Sequence, residues 1–178
     1  MFLEKSGRNS ESIYTYTCDS FLKNEMMGRT HMAIGLLTGL VLFSLLHQQW
    51  YVFIPLVVLG SLLPDVDHQN SKINRMLPIT RWIPTFFAHR GFFHSIFPAI
   101  IIYAGFYFAK LDYIGLPLAL GYLSHLASDC LTRLGCNLLH PISTFRIQGP
   151  VMTDGLMELL TLGGVIVLDV LLVIKHVF

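Results

Sequence analysis

The sequence predicts an all-α protein, a polytopic membrane bundle of about five transmembrane helices. Of its 178 residues, 53% are hydrophobic and only 13% are charged, whereas about 25% of a typical soluble domain is charged. The mean hydropathy is correspondingly high, at +0.59. The apolar residues are gathered in five runs separated by polar or proline-containing breaks, at residues 32–46, 50–63, 92–109, 113–128 and 156–174.

The chain before the first run is polar and carries charges of both signs. We expect residues 1–28 to form a mobile tail, and the absence of an apolar stretch there argues against a cleavable signal peptide. Met26 or Met27 is an alternative start of the protein. Residues 29–178 are enough for one membrane-embedded domain.

The first two runs are short for membrane spans. Each has about 15 residues, or ~22 Å of helix, against a hydrocarbon core of ~30 Å. Residues 47–49 separate them, so we predict two short spans joined by a tight turn, with Trp50 and Tyr51 at the interface. The polar break and Pro55 argue against one long helix. A soluble helical core is the alternative.

The remaining runs alternate with two polar loops. Pro64 ends the second run and opens a basic loop, whose amphipathic middle at residues 82–87 suits a membrane surface. The third run is about long enough to span, and residues 110–112 form a short turn into the fourth. A second mixed loop covers residues 130–155, and the fifth run completes the bundle.

Five spans place the N-terminal tail and the two long loops on one side of the membrane. By the positive-inside rule this side is cytoplasmic. The opposite side holds Lys110 and Lys175. The cytoplasmic side carries ten of the twelve basic residues: Lys5, Arg8, Lys23, Arg29, Lys72, Arg75, Arg81, Arg90, Arg133 and Arg146.

Acids and histidines gather at the cytoplasmic end of every predicted span. Ionisable groups at membrane depth are costly and usually pair or mark a functional site. Taken singly, each has a structural explanation, as a helix cap or an interfacial anchor, but their common depth favours a single site. The set comprises His31, Asp65, Asp67, His68, Arg90, His94, His125, Asp129 and Glu158.

Histidines and carboxylates together indicate a divalent metal. His125 and Asp129 are four residues apart and share one face of a helix, while Asp65 and Asp67 can point the same way in an extended turn. This ligand chemistry suits Zn²⁺ best, with Mn²⁺ or Fe²⁺ as alternatives. The three cysteines, Cys18, Cys130 and Cys136, lack the spacing of a thiolate site. We interpret four other histidines as non-ligands: His47, His89, His140 and His176.

These motifs together resemble a bacterial family of inner-membrane metal-dependent hydrolases, some under DNA-damage (SOS, LexA) control. The resemblance covers about residues 29–160, with departures at Gln69 and Phe93, where proline and threonine are usual. The family is itself similar to the helical zinc phospholipase C and nuclease group, so the resemblance implies phosphoester hydrolysis. The matching elements are His31, LPDVDH at residues 63–68 with Ser71, HRGFFHS at residues 89–95, GYLSHLASD at residues 121–129, Leu131, Thr132, Gly135, Pro141 and Glu158.

The resulting hypothesis is metal-assisted hydrolysis of a phosphoester or lipid-like substrate at the membrane. Asp67 or Glu158 would complete a second ion site or act as general base, and Arg90 would bind a phosphate oxygen. The ligands would be His31, Asp65, Asp67, His68, His94, His125 and Asp129. We expect membrane lipid as the partner and, with a net charge of +1, no nucleic acid. The alternatives are a metal or proton transporter and a membrane scaffold that uses the same polar cluster.

Overall fold

The computed structural model describes residues 28–67, 91–153 and 155–177, apart from the side chains of Asp67 and Val177. In these ranges the chain is helical and forms no β-strand, which confirms the predicted all-α class. Two short 3-10 turns, Pro64–Asp67 and Phe92–His94, flank the segment between the second and third helices. The α-helices are α1 (Gly28–Leu45), α2 (Trp50–Gly60), α3 (Ile96–Phe108), α4 (Asp112–Cys130) and α5 (Leu156–Val177).

Each helix coincides with one predicted apolar run, with differences at the ends. Gly28, assigned to the tail, already belongs to α1. The segment 46–49, which contains the polar break at residues 47–49, alone separates α1 from α2, since Pro55 lies inside α2 and does not interrupt it. Neighbouring helices can compensate for the backbone hydrogen bond that a proline removes from a membrane helix. α2 ends at Gly60, before Pro64, because the next residues form a separate turn.

The outer surface of α5 is suited to lipid. Among its described side chains only Glu158 and Asp169 are buried, at 6% and 5% exposure, while both isoleucines and most of the leucines and valines face outward. A helix of a soluble protein shows the opposite arrangement, with polar residues outside. By length and composition, α1 and residues Leu156–His176 of α5 qualify as membrane spans. The five-span topology and the cytoplasmic N-terminus stay predictions.

Helix α4 lies at the centre of the bundle, packed against α1, α2 and α3, and α5 packs against α1. Two glycines allow the backbones of α2 and α4 to touch. A Cβ on Gly121 would lie 2.0 Å from the Val57 carbonyl oxygen, and one on Gly60 would lie 2.3 Å from the Leu118 carbonyl oxygen. Small residues permit such close approach in membrane helices. The contact brings the end of α2, with Ser61 and Asp65 beyond it, against the face of α4.

Candidate metal centre

Five of the predicted ligands converge at one end of the bundle. Asp129 is central: its Oδ1 lies 3.6 Å from Nε2 of His31, and its Oδ2 lies 3.5 Å from Nε2 of His94 and 3.7 Å from Nε2 of His125. Asp65 Oδ1 lies 3.7 Å from the same nitrogen of His125. The three histidines and Asp129 are at most 2% exposed. Four separate segments of the chain therefore supply one buried cluster.

Helix geometry accounts for the pair on α4. His125 and Asp129 lie one turn apart on the same face, as predicted, and their ligand atoms are 3.7 Å apart. The turn after Asp129 is fixed by Thr132, whose hydroxyl donates to the Asp129 carbonyl at 2.7 Å and accepts from the Gly135 amide at 3.2 Å. Gly135 has φ +65°, a conformation that glycine adopts readily. Thr132 and Gly135 thus hold the end of the helix that carries Asp129.

The turn that carries Asp65 differs from the prediction. An extended turn at residues 65–67 is wrong, since Pro64–Asp67 forms a 3-10 turn. The fixed φ of proline suits the first position of a helical turn, which explains the preference for this geometry. Asp65 reaches the cluster from this turn and keeps 21% of its side chain exposed.

His94 is held by contacts to its backbone. It ends the short 3-10 turn Phe92–His94, and the hydroxyl of Tyr122 on α4 donates to the carbonyl of Phe93. The thiol of Cys136 donates to the His94 carbonyl at 2.8 Å. These bonds tie the turn to α4 and to the loop that follows it, so the position of His94 depends on both.

The tautomer of His125 follows from its hydrogen bond. Its Nδ1 lies 2.8 Å from the Ser61 carbonyl oxygen, which can only accept, so Nδ1 carries the proton. In a neutral imidazole Nε2 then has a lone pair. That lone pair faces the carboxylates of Asp65 and Asp129, and no described atom is a hydrogen-bond partner for this fully buried nitrogen.

Ser128 orients His31 by the same logic. Its hydroxyl donates to the His125 carbonyl at 2.7 Å, so at 2.9 Å from Nδ1 of His31 it acts as the acceptor. Nδ1 of His31 is therefore protonated, and Nε2 presents its lone pair to Asp129. Residues that orient metal-binding histidines in this way also raise their basicity.

The charges in the cluster call for a cation. The rings of His31 and His125 stack with centroids 3.7 Å apart and an interplanar angle of 17°, so protonating both would place two positive charges face to face. Two neutral rings, however, direct lone pairs at carboxylate oxygens, which repel them. A divalent ion between these groups satisfies both the nitrogens and the oxygens.

The distances fit such an ion. Ligands bound at 2.0–2.1 Å in a tetrahedron lie ~3.3 Å from one another, close to the observed 3.5–3.7 Å. Two overlapping groups have all ligand atoms within 4.8 Å: one comprises His31, His125 and Asp129, the other Asp65, His94 and His125. His125 is common to both, so the cluster can hold one ion or a close pair.

Glu158 contacts Thr30, the residue before His31. Its Oε1 accepts a hydrogen bond from the Thr30 hydroxyl at 3.1 Å, beside His31 on α1, and its side chain is buried. It is in neither group of close ligand atoms. Its two predicted roles, completing a second ion site or acting as general base, stay predictions.

Some predicted residues lie outside the described part of the chain. They are His68 and Arg90, together with His89 and the side chain of Asp67. Within the described ranges, His47, His140 and His176 belong to neither ligand group. The sequence analysis missed Ser61, Ser128 and Thr30. Ser128 could have been predicted from the sequence, since it is three residues after His125 and directly before Asp129.

We expect Ser128→Ala to weaken metal binding about 10–100-fold, the usual cost of losing a residue that orients a metal ligand. The reason is that Nδ1 of His31 loses its acceptor. Metal release to a competing chelator, followed with purified protein, measures this change. Ser124→Ala is the matched control, because Ser124 is on the same helix and its hydroxyl bonds only locally, to the Gly121 carbonyl. Equal release rates in the two variants would contradict the role of Ser128.

Comparison with known proteins identifies the relatives of this chain. Residues 26–176 match the family described as YdjM inner membrane protein. The inner membrane protein YdjM of Escherichia coli (strain K12) and that of Shigella flexneri are each 35% identical over 115 residues, 61% of this chain and 58% of theirs. The uncharacterized protein YvsG of Bacillus subtilis (strain 168) is 32% identical over 148 residues, 78% of this chain and 89% of its own length. The match thus spans somewhat over half of the two YdjM proteins, and no solved structure matches the chain.

Proposed function

The chain belongs to the YdjM inner membrane protein family, and on this premise we propose that it is a membrane-bound, metal-dependent hydrolase. One observation carries the proposal. Two histidines, His31 and His125, are fixed by hydrogen bonds so that Nε2 of each presents a lone pair to the carboxylate of Asp129. A scaffold needs no such arrangement, since a neutral histidine and a carboxylate attract only when a proton or a metal lies between them.

The metal would be held by His31, His94, His125 and Asp129, with Asp65 on the more exposed side. Nitrogen and carboxylate ligands suit Zn²⁺ best, and Mn²⁺ or Fe²⁺ are alternatives. A divalent metal bound there supplies Lewis-acid activation of water at neutral pH. His68 and the carboxylate of Asp67, close in sequence to Asp65, are further ligands proposed from the sequence.

The chain's own residues would accept the proton from water and bind the substrate. Glu158 is buried, and its carboxylate accepts a hydrogen bond from Thr30, the residue before His31; we assign it the role of accepting a proton from water. Asp67 is the second candidate for this role. Arg90 would bind a phosphate oxygen through its paired N–H groups and stabilise negative charge in the transition state.

The place of the cluster in the helices supports an amphiphilic substrate. His31 is in the first turn of α1, Asp65 follows α2, His94 precedes α3, Asp129 is in the last turn of α4 and Glu158 is in the first turn of α5. In a bundle of five spans these ends lie at one membrane surface, which we propose to be the cytoplasmic one. Lipid phosphates lie at this depth, so we propose a phospholipid or another amphiphilic phosphoester as substrate.

The test combines metal analysis with hydrolysis. Protein purified in mild detergent should contain at least one zinc, manganese or iron ion per chain, and should cleave phosphodiesters such as bis(p-nitrophenyl) phosphate or phospholipid in detergent micelles. Removal of the metal by a chelator should abolish cleavage, and adding it back should restore cleavage. Full metal content without cleavage of any phosphoester would contradict the hydrolase, and metal uptake into protein-containing vesicles would then identify a transporter.

A further inference from the structure

Asp169 is a buried acid within the apolar helix α5, away from the metal centre. It lies eleven residues after Glu158, or ~16 Å further along the helix. The residue is 5% exposed, and its Oδ1 is fully buried without a hydrogen-bond partner among the residues that the structure describes. No described side chain forms an ion pair with it either. An acid kept at membrane depth in this state points to a ligand, because intramembrane charges otherwise pair.

Asp169 is one of the residues that line a groove between α1, α2 and α5. The cavity has a volume of about 420 Å³, and eight of its nine lining residues are apolar, among them Met32, Leu36, Val58 and Ile166. Binding sites for small molecules have volumes of about 300–1,000 Å³, with mostly apolar walls and a few polar groups that fix orientation. Among the described residues that line this groove, Asp169 has the one polar side chain.

We propose that this groove is a second binding site and that its ligand is a lipophilic amine, an ammonium group on a hydrocarbon chain. The apolar walls match the hydrocarbon, and the acid matches a cation that brings N–H donors. A hydrogen bond between an ammonium and a carboxylate is among the stronger polar contacts and gains strength away from water. The site is independent of the proposed hydrolysis.

Two other ligands fit the groove less well. A bare metal ion needs several oxygen or nitrogen ligands, and none of the other lining residues in the described part of the chain is a histidine, a cysteine or an acid. A membrane helix with a basic side chain brings the same charge on a body about 10–12 Å wide, whereas a lipophilic amine brings it on a single alkyl chain.

The experiment measures binding of radiolabelled dodecylamine to the full chain in phosphatidylcholine nanodiscs, with empty discs as background. We expect saturable binding to the wild-type protein. In Asp169→Asn the affinity should be at least about tenfold lower, since a charge-assisted hydrogen bond is lost. Dodecanol, which has the same chain without the ammonium, should not compete. Metal content should be the same in both proteins.

Asp112→Asn is the matched control, because Asp112 is an exposed acid in the first turn of α4, and its binding should equal that of wild type. Equal affinity in Asp169→Asn, equal competition by dodecanol, or no saturable binding would each overturn the site. If Asp169→Asn fails to fold, Ala33→Phe fills the groove instead: lost binding supports the proposal, and retained binding overturns it. A larger wild-type assembly that Asp169→Asn abolishes, without amine binding, would overturn it in favour of a helical partner.

Discussion

Replacing His125 by alanine is expected to remove the bound metal and with it the hydrolysis. His125 is common to both groups of close ligand atoms, His31–His125–Asp129 and Asp65–His94–His125, so its loss takes a ligand from whichever group holds the ion. The affinity should fall more than about 100-fold, because even the loss of a residue that only orients a ligand costs about 10–100-fold. Elemental analysis of the purified variant beside wild type measures the change.

His176→Ala provides the control. This histidine is exposed near the end of α5, where Nδ1 bonds to the Leu172 carbonyl, and it belongs to neither ligand group. Its removal should leave metal content and hydrolysis unchanged. If His125→Ala kept its metal while remaining folded by circular dichroism, the assignment of His125 as a shared ligand would be wrong.

Single substitutions of ligands that belong to only one of the two groups distinguish one bound ion from two. His31→Ala affects the first group alone, and Asp65→Ala affects the second alone. With two bound ions, each variant should retain the other ion and about half of the metal. With a single ion in the first group, His31→Ala should lose the metal and Asp65→Ala should retain it. The opposite result would place the ion in the second group.

The positions of the helices and most residues of the cluster could be predicted from the sequence, for physical reasons. Apolar runs between polar breaks specify where helices form, because a helix that faces lipid must be apolar over most of its length. His125 and Asp129 could be paired in advance because residues four apart share a helix face. His31 and His94 could be grouped with them because five predicted spans alternate in direction, which places these helix ends on one predicted side of the membrane.

Other features depend on tertiary contacts that no local pattern encodes. The Ser61 carbonyl fixes the tautomer of His125, yet any residue offers a carbonyl, so only the packing of α2 on α4 singles out Ser61. Asp65 follows a proline that is compatible with an extended or a helical turn, which explains why the predicted geometry of this turn was wrong. The partner of Glu158, Thr30, lies 128 positions away in the chain and became apparent only when α1 and α5 were placed together.

Gly121→Ala is expected to destabilise the whole protein, because the position of His125 depends on how closely α2 and α4 approach. The added methyl would lie 2.0 Å from the Val57 carbonyl oxygen and 2.9 Å from the Ser61 amide nitrogen. Both atoms are backbone, so relief requires the helices to separate. Overpacking of this kind costs about 1–3 kcal/mol, and each kcal/mol lowers the melting temperature of a domain of this size by about 2–4 °C.

The separation should also weaken metal binding, because Ser61 would move away from Nδ1 of His125. Gly105→Ala in α3 is the matched control, since nothing lies within 4 Å of the added methyl. It should leave the melting temperature unchanged or raise it, because glycine inside a helix costs about 0.5–1 kcal/mol relative to alanine. Thermal unfolding in detergent, with metal content measured on the same samples, tests both effects. If Gly121→Ala melted like Gly105→Ala and kept its metal, the close contact of α2 with α4 would not be what positions His125.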